Sequence, residues 1–288
     1  MEKIAVIGLG LIGGSLALDI KDAFGCRILG VDRPENAKKA LEIGFIDEIT
    51  TINKLTDVDV VIIATPVDTV VEIAAKVLDL IAEDTLVFDV GSVKEEICKM
   101  LGNHPKRKNF LAAHPIAGTE FSGPEAAIKD LFSKKVNILC ELEKTDRKIA
   151  NKAFEIFDSL GMEYKYMSAT EHDRHIAYVS HLSHVSSFML GKTVLEMERS
   201  EQNIFDMAGS GFESTVRLAK SSPNTWTPIF LHNKKNLISS LEQYIKNLIE
   251  FKEFVEQDNA KEIHNSMSDT NHLKEILKGI NQKQQHNK

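Results

Sequence analysis

The stretch from Ile4 to Ser15, I-A-V-I-G-L-G-L-I-G-G-S, leaves the chain few ways to fold. A short apolar run enters glycines at Gly8, Gly10 and Gly13 and then a second apolar segment, Leu16 to Ile20. That pattern predicts a strand, a tight turn and a helix start. Gly8 permits the turn, Gly10 lets the backbone approach a pyrophosphate, and Gly13 lets the helix pack closely on the sheet. Phosphates would sit at the helix N-terminus, where free N–H groups and the helix dipole favour negative charge. A second apolar run, Arg27 to Val31, ends in Asp32, the position at which an acid reaches the adenine ribose hydroxyls.

The alternation continues downstream. Helical spacing over Glu35 to Ile43 precedes a continuous apolar run, Val58 to Ala64, of the kind a doubly covered parallel strand requires, ending in Ala64-Thr65-Pro66. A helix from Val67 to Ile81, a strand from Leu86 to Asp89, the turn Gly91-Ser92-Val93-Lys94 and a helix to about Met100 follow. Phe110 to Ala113 and Val136 to Cys140 read as strands, separated by a loop that holds His114. A helix from about Asp146 to Leu160 and a strand near Tyr164 to Met167 complete this half. Asp32, Thr65, Ser92 and His114 all follow predicted strands, so one crevice at the carboxyl edge of a parallel sheet can collect them.

From Ala169 onward no strand is expected. Apolar residues recur at spacings of three and four, as in Ile176, Val179, Leu182, Val185 and Met189, and again in Ile238, Leu241, Ile245 and Leu248. A long helix is predicted over about Thr227 to Phe254, with Pro223 setting the turn before it, and the polar last eight residues should fray. The reading is therefore an α/β Rossmann-type dinucleotide-binding domain over residues 1–168, followed by an all-α dimerisation domain over 169–288. Helices with this many apolar positions in so short a segment predict a homodimer.

Composition narrows the function. With 42 acidic against 35 basic residues the net charge is −7, which gives no global basic surface for nucleic acid or an anionic membrane. No apolar run approaches a membrane span, and no leader pattern precedes the first strand, so a cytoplasmic protein acting on a small molecule is expected. Cys26, Cys98 and Cys140 form no CxxC pair, and no metal site is expected. His172 with His175, and His181 with His184, are three apart and share helix faces, but no ligating cysteine or acid accompanies them.

The segment His114-Pro115-Ile116-Ala117-Gly118-Thr119-Glu120 carries more special residues than a connector needs. A neutral imidazole at a strand end beside a nicotinamide can accept a hydroxyl proton while hydride leaves the adjacent carbon, with an ionisation expected near ~6.5. Gly209-Ser210-Gly211-Phe212 leads to Arg217, whose guanidinium could clamp a carboxylate or simply face solvent. Trp226, the only tryptophan, reads as core.

Taken together, these motifs resemble the prephenate and arogenate dehydrogenases of tyrosine biosynthesis. The likeness rests on G-L-G-L-I-G-G-S at 8–15, A-T-P at 64–66, D-V-G-S-V-K at 89–94, H-P-I-A-G-T-E at 114–120 and S-H-L-S-H at 180–184, with Arg217 and Trp226 behind them. It implies NAD held by Gly8, Gly10, Leu11, Ile12, Gly13, Asp32, Arg33, Thr65 and Pro66. It further implies His114 as proton acceptor, with Ser92 orienting the substrate hydroxyl and the histidine. Arg217 would grip a substrate carboxylate and His184 would contact the substrate, with Glu120, His181 and Trp226 lining the pocket. Ser214 stands where some relatives carry an acid. The resemblance leaves prephenate and arogenate both open; the neutral Ser214 favours prephenate. Two other readings compete: a β-hydroxyacid dehydrogenase using Lys192, and a non-enzymatic dinucleotide sensor.

Overall fold

Strand β1 (Lys3–Ile7) lies inside an eight-stranded sheet, third from one edge, and the chain then builds outward on both sides of it. The computed structural model describes residues 1–277 except Gln202, so the polar last eight residues lie outside it. Helix α1 (Leu11–Phe24), β2 (Arg27–Val31), α2 (Pro34–Ile43) and the two-residue β3 (Glu48–Ile49) fill one side. The chain then crosses to β4 (Val60–Ile63) on the other side of β1, continuing through α3 (Val67–Leu80), β5 (Leu86–Asp89), α4 (Glu95–Leu101) and β6 (Phe110–Pro115). After β7 (Val136–Cys140) and α5 (Arg147–Ser159), β8 (Glu163–Met167) closes the edge. The order is β3-β2-β1-β4-β5-β6-β7-β8, parallel except where β7 runs against β6. Strand order reverses between β1 and β4, and the crevice beyond their carboxyl ends is where such sheets bind ligands.

Both faces of the sheet are covered, as the unbroken apolar strands require. Ile4, Val6, Ile62 and Phe88 pack with Leu16 and Ile20 of α1 and Ile156 of α5, while Ala5, Ile7, Val61 and Ile63 pack with Val70 and Val77 of α3 and Ile97 of α4. Helix α5 is fixed at its start by Asp146, whose carboxylate accepts from the Lys148 and Ile149 N–H groups.

No strand follows β8 among the described residues. Ser168 and Glu171 form a reciprocal cap that starts α6 (Ala169–Ile176). The helical path then widens over Ala177–His181, where the Leu182 N–H reaches the Ala177 carbonyl five residues back, before α7 (Leu182–Ser200) resumes the ordinary pitch. Helices α8 (Ser210–Val216), α9 (Pro223–His232), α10 (Lys234–Glu256) and α11 (Ala260–Thr270) follow. By packing, Met1–Leu237 is one unit and the chain from Ile238 is another.

Two sequence expectations change. The helix predicted over 227–254 is two helices, because Asn233 leaves helical geometry at φ −112° and ψ 27°. Its side chain is buried and donates to the Asp173 carbonyl at 2.7 Å, a bond that a residue on a continuous solvated helix face would not make. His114 is also not in a loop: β6 runs two residues further than predicted, because the antiparallel ladder with β7 continues through His114↔Ile138 and Pro115↔Asn137.

Candidate active site

The glycine turn has the geometry its sequence requires. Gly8 sits at φ +94°, and a Cβ there would lie 2.4 Å from the Ala64 carbonyl oxygen at the end of β4. A Cβ on Gly13 would lie 1.9 Å from the Gly8 oxygen, so strand, turn and helix meet with no room for a side chain. Gly10 is different. A Cβ there would meet nothing closer than the Gly123 nitrogen at 4.0 Å, and no side chain caps the helix that Leu11 and Ile12 begin. Free N–H groups beside open space suit a phosphate.

Asp32 stands next to this turn, its carboxylate accepting from the Leu9 N–H at 2.6 Å, the Arg33 N–H at 2.6 Å and the Asn36 amide at 3.0 Å. The Arg33 guanidinium faces Glu35 at 3.6 Å. Thr65 accepts from the Thr69 hydroxyl at 2.9 Å, and Pro66 precedes the first turn of α3. These residues fit a dinucleotide: an uncapped helix start for the pyrophosphate and a fixed carboxylate for the ribose.

The segment after β6 lies over the start of α1. The Ile128 N–H donates to the Ser15 hydroxyl at 3.0 Å, and Gly123 comes within reach of Gly10. His114 lies at the carboxyl end of β6, three strands along the sheet from β1 and on the same edge as the glycine turn that follows it. Strand alternation turns its side chain to the face of Ala112, the face covered by α4.

There His114 joins a chain of polar groups. Its Nδ1 is 2.7 Å from Nε2 of His172, and the His172 Nδ1 is 2.7 Å from Oδ1 of Asp173. Asp173 also accepts the Lys94 and Glu95 N–H groups at 2.7 and 2.9 Å, which ties α6 to the start of α4. The Lys94 ammonium, fully buried, is bonded to Asp89. Burial pushes the Asp89 carboxyl up, against the pull of Lys94. The His181 Nδ1 lies 3.2 Å from the Asn233 amide, and its Nε2 is buried without a partner.

Burial holds His114 well below the usual imidazole range, and any charge on His172, Lys94 or His181 works in the same direction. His172 is lowered by burial against the opposing pull of Asp173, and His181 is lowered by burial to about 4. The ionisation of His114 therefore falls below the ~6.5 expected from sequence, because the ring is removed from water beside other cationic groups. A neutral imidazole near neutral pH is a competent base.

Most of the remaining predicted residues lie in the helices after β8. His184 stacks on Trp226, with ring centroids 3.4 Å apart and planes 23° apart, and its Nδ1 meets the Ser180 carbonyl at 3.0 Å. Trp226 is thus a half-buried partner of His184 rather than a core residue. Arg217 faces Glu120 at 3.5 Å and is 53% exposed, so its guanidinium is free to meet a further anion. The Ser92 hydroxyl makes no hydrogen bond to a described residue, and His172 holds the His114 ring instead. Lys192 lies on an exposed helix face opposite Glu196, apart from this cluster. His175 is exposed, whereas His172 is buried. Among the described residues no group of three or more His, Cys, Asp or Glu side chains is arranged to hold a metal ion.

Sequence reasoning treated His172 only as half of a metal-like pair and missed Asp89, Asp173 and Asn233 as site residues. A signal existed for one pair: Asp89 closes an all-apolar strand and Lys94 follows at the next turn. Nothing local connected Asp173 to residues 79 positions upstream.

Comparison with known proteins shows the family. The family model for the prephenate dehydrogenase nucleotide-binding domain matches residues 16–166, and that for the prephenate dehydrogenase dimerization domain matches residues 168–269. The chain belongs to the prephenate dehydrogenase family. It is 33% identical to the prephenate dehydrogenase of Bacillus subtilis, over 91% of this chain and 72% of that one. It superposes on the Aquifex aeolicus prephenate dehydrogenase, crystallised with hydroxyphenyl propionate and NAD+, with a TM-score of 0.88 at 35% identity, covering 96% and 98% of the two chains. Synechocystis arogenate dehydrogenase gives a TM-score of 0.76 at 27% identity, covering 96% and 99%. Membership makes the chain an oxidoreductase with NAD as cofactor. No helix among the described residues is long and apolar enough to cross a membrane.

Proposed function

We propose that this enzyme oxidises prephenate to 4-hydroxyphenylpyruvate with loss of carbon dioxide, and that His114 is its proton acceptor. The observation that carries the reading is His114 itself: buried at the carboxyl end of β6, on the same edge of the sheet as the glycine turn, and kept neutral by its surroundings. Bound NAD would supply the acceptor for the hydride on ring carbon 4. His114 accepts the proton of the hydroxyl on that carbon, and as carbon dioxide leaves the ring, its bonding electrons complete the aromatic system and the oxygen regains a proton. Aromatisation supplies the driving force, so the protein aligns, deprotonates and excludes water.

Arg217 binds a substrate carboxylate, with Glu120 releasing it as the anion arrives. His184 and Trp226 form the wall on the helical side, with His181 behind them, and Ser92 orients the hydroxyl. The cofactor is held by Gly8, Gly10, Leu11, Ile12, Gly13, Asp32, Arg33, Thr65 and Pro66, with Asp32 favouring NAD over NADP. Prephenate is favoured over arogenate because Ser214 puts no carboxylate there to pair with arogenate's ammonium. Division of labour falls at 168/169, with a cofactor half and a substrate and dimerisation half, and the enzyme works as a cytoplasmic homodimer.

His114→Asn should lower turnover by about 10²- to 10⁴-fold while NAD binding stays near wild type. Stopped-flow NADH formation together with NAD titration checks this; near-wild-type turnover sinks the base assignment. Parallel assays with prephenate and arogenate decide the substrate, and higher efficiency with arogenate would reverse that choice.

A further inference from the structure

We propose that His172 and Asp173 are positioning residues that fix the tautomer of His114, placing its proton on Nδ1 and leaving Nε2 bare to receive the substrate's proton. The inference rests on His114 being the base. It follows from counting donors and acceptors along one buried line.

The line starts at Asp173. Oδ1 accepts the Lys94 N–H and Oδ2 the Glu95 N–H, so this carboxylate is held as an acceptor at both oxygens. The His172 Nδ1, 2.7 Å from Oδ1, must therefore carry hydrogen. A neutral imidazole has one N–H, so Nε2 of His172 presents a lone pair. That lone pair lies 2.7 Å from Nδ1 of His114, which must in turn donate. A ring protonated at Nδ1 is bare at Nε2, the nitrogen that can act as base.

The alternatives each meet a specific obstacle. Reversing both rings would set the bare Nδ1 of His172 against a carboxylate oxygen at 2.7 Å, lone pair to lone pair. Protonating His172 twice would add a cation in a site that already holds the buried Lys94 ammonium, and burial disfavours it as well. His172 and Asp173 are each 1% exposed, so water cannot replace either partner. The remaining ionisable groups around the line are Asp89, paired to Lys94, and His181, whose Nδ1 faces Asn233. Left to itself, an imidazole has two tautomers close in energy, and in the wrong one Nε2–H would point a donor at the substrate hydroxyl.

The test combines heteronuclear NMR of ring-labelled histidines with kinetics of His172→Leu and His172→Gln. Wild-type His114 should show a protonated Nδ1 and a bare Nε2. His172→Leu, which offers no acceptor, should lower kcat by about 10- to 10²-fold, with NAD affinity unchanged and KM little altered. His172→Gln should recover most of that loss, because its amide can accept from His114 and donate to Asp173. A wild-type His114 protonated on Nε2, or a folded His172→Leu enzyme with wild-type kcat, would overturn the proposal. Should His172→Leu fail to fold, the wild-type NMR measurement and the Gln variant still decide. If instead His114→Asn kept full turnover, the base assignment would fall, while the NMR result would still report on the tautomer.

Discussion

Helices α5 and α7 are both built on apolar residues at helical spacing, yet only α5 is satisfied inside the chain. Helix α5 buries Ile149, Ala150, Ala153, Ile156 and Phe157 against the sheet. Helix α7, six residues longer, buries only Ser187 and leaves Met189, Leu190, Leu195 and Met197 exposed. The stripe Ile238, Ile245, Leu248 and Ile249 on α10 is exposed too. The sheet half covers both of its faces with its own helices, whereas the helical half presents apolar surface that calls for another chain. Cofactor binding can therefore belong to one chain, while the substrate wall depends on helices that the proposed dimer would cover.

Three experiments can sharpen or break that contrast. The largest effect should come from Gly13→Ala in the self-sufficient half: the new methyl cannot sit 1.9 Å from the Gly8 oxygen, so turn and helix must part. We expect a loss of about 3 kcal/mol in stability together with NAD affinity, read by denaturant unfolding and cofactor titration; an unperturbed variant would mean that the two halves tolerate change alike.

Acid should come next. His114, His172 and His181 all have folded-state ionisations pushed below their unfolded value. The unfolded chain therefore binds protons that the folded chain refuses, and stability should be flat above about pH 6.5 and fall below it, towards the value of about 4 at His181. Hydrogen exchange should show α6 and α7 opening before β1 and β4, and uniform opening would refute the localisation. The smallest effect should follow Leu248→Glu, which places a charge on the exposed stripe: the dimer dissociation constant should rise about tenfold, ~1.4 kcal/mol, by light scattering across a dilution series, with no change in NAD affinity.

How much of this was legible in sequence depends on the reach of the contact. Gly8, Gly10 and Gly13 were readable because the turn they make is spelled out within six residues, and Asp32 because this fold sets its distance. His114 was readable as a strand-end residue, although the extra ladder pairs with β7 were not, since they depend on a strand more than twenty residues later. The link from His172 to His114 spans 58 positions and leaves no periodic trace. Asn233 was hidden because apolar spacing continues through it on both sides, from Ile229 to Leu237.

The widened turn at Ala177–His181 sets the phase of the three histidines behind the site. In an uninterrupted helix each residue advances about 100°, so His181, nine positions after His172, would point to the opposite side. The extra residue in this turn takes up one such step. His181 then lies about 80° from His172, and His184 within about 20° of it, which is how one helical path can turn all three inward. The enzyme is therefore more exposed to a change of length here than to a change of side chain. Val179 is 74% exposed and its side chain could be replaced freely, yet a further residue inserted beside it at ordinary pitch would advance His184, and everything on α7 behind it, by about 100° and out of the pocket.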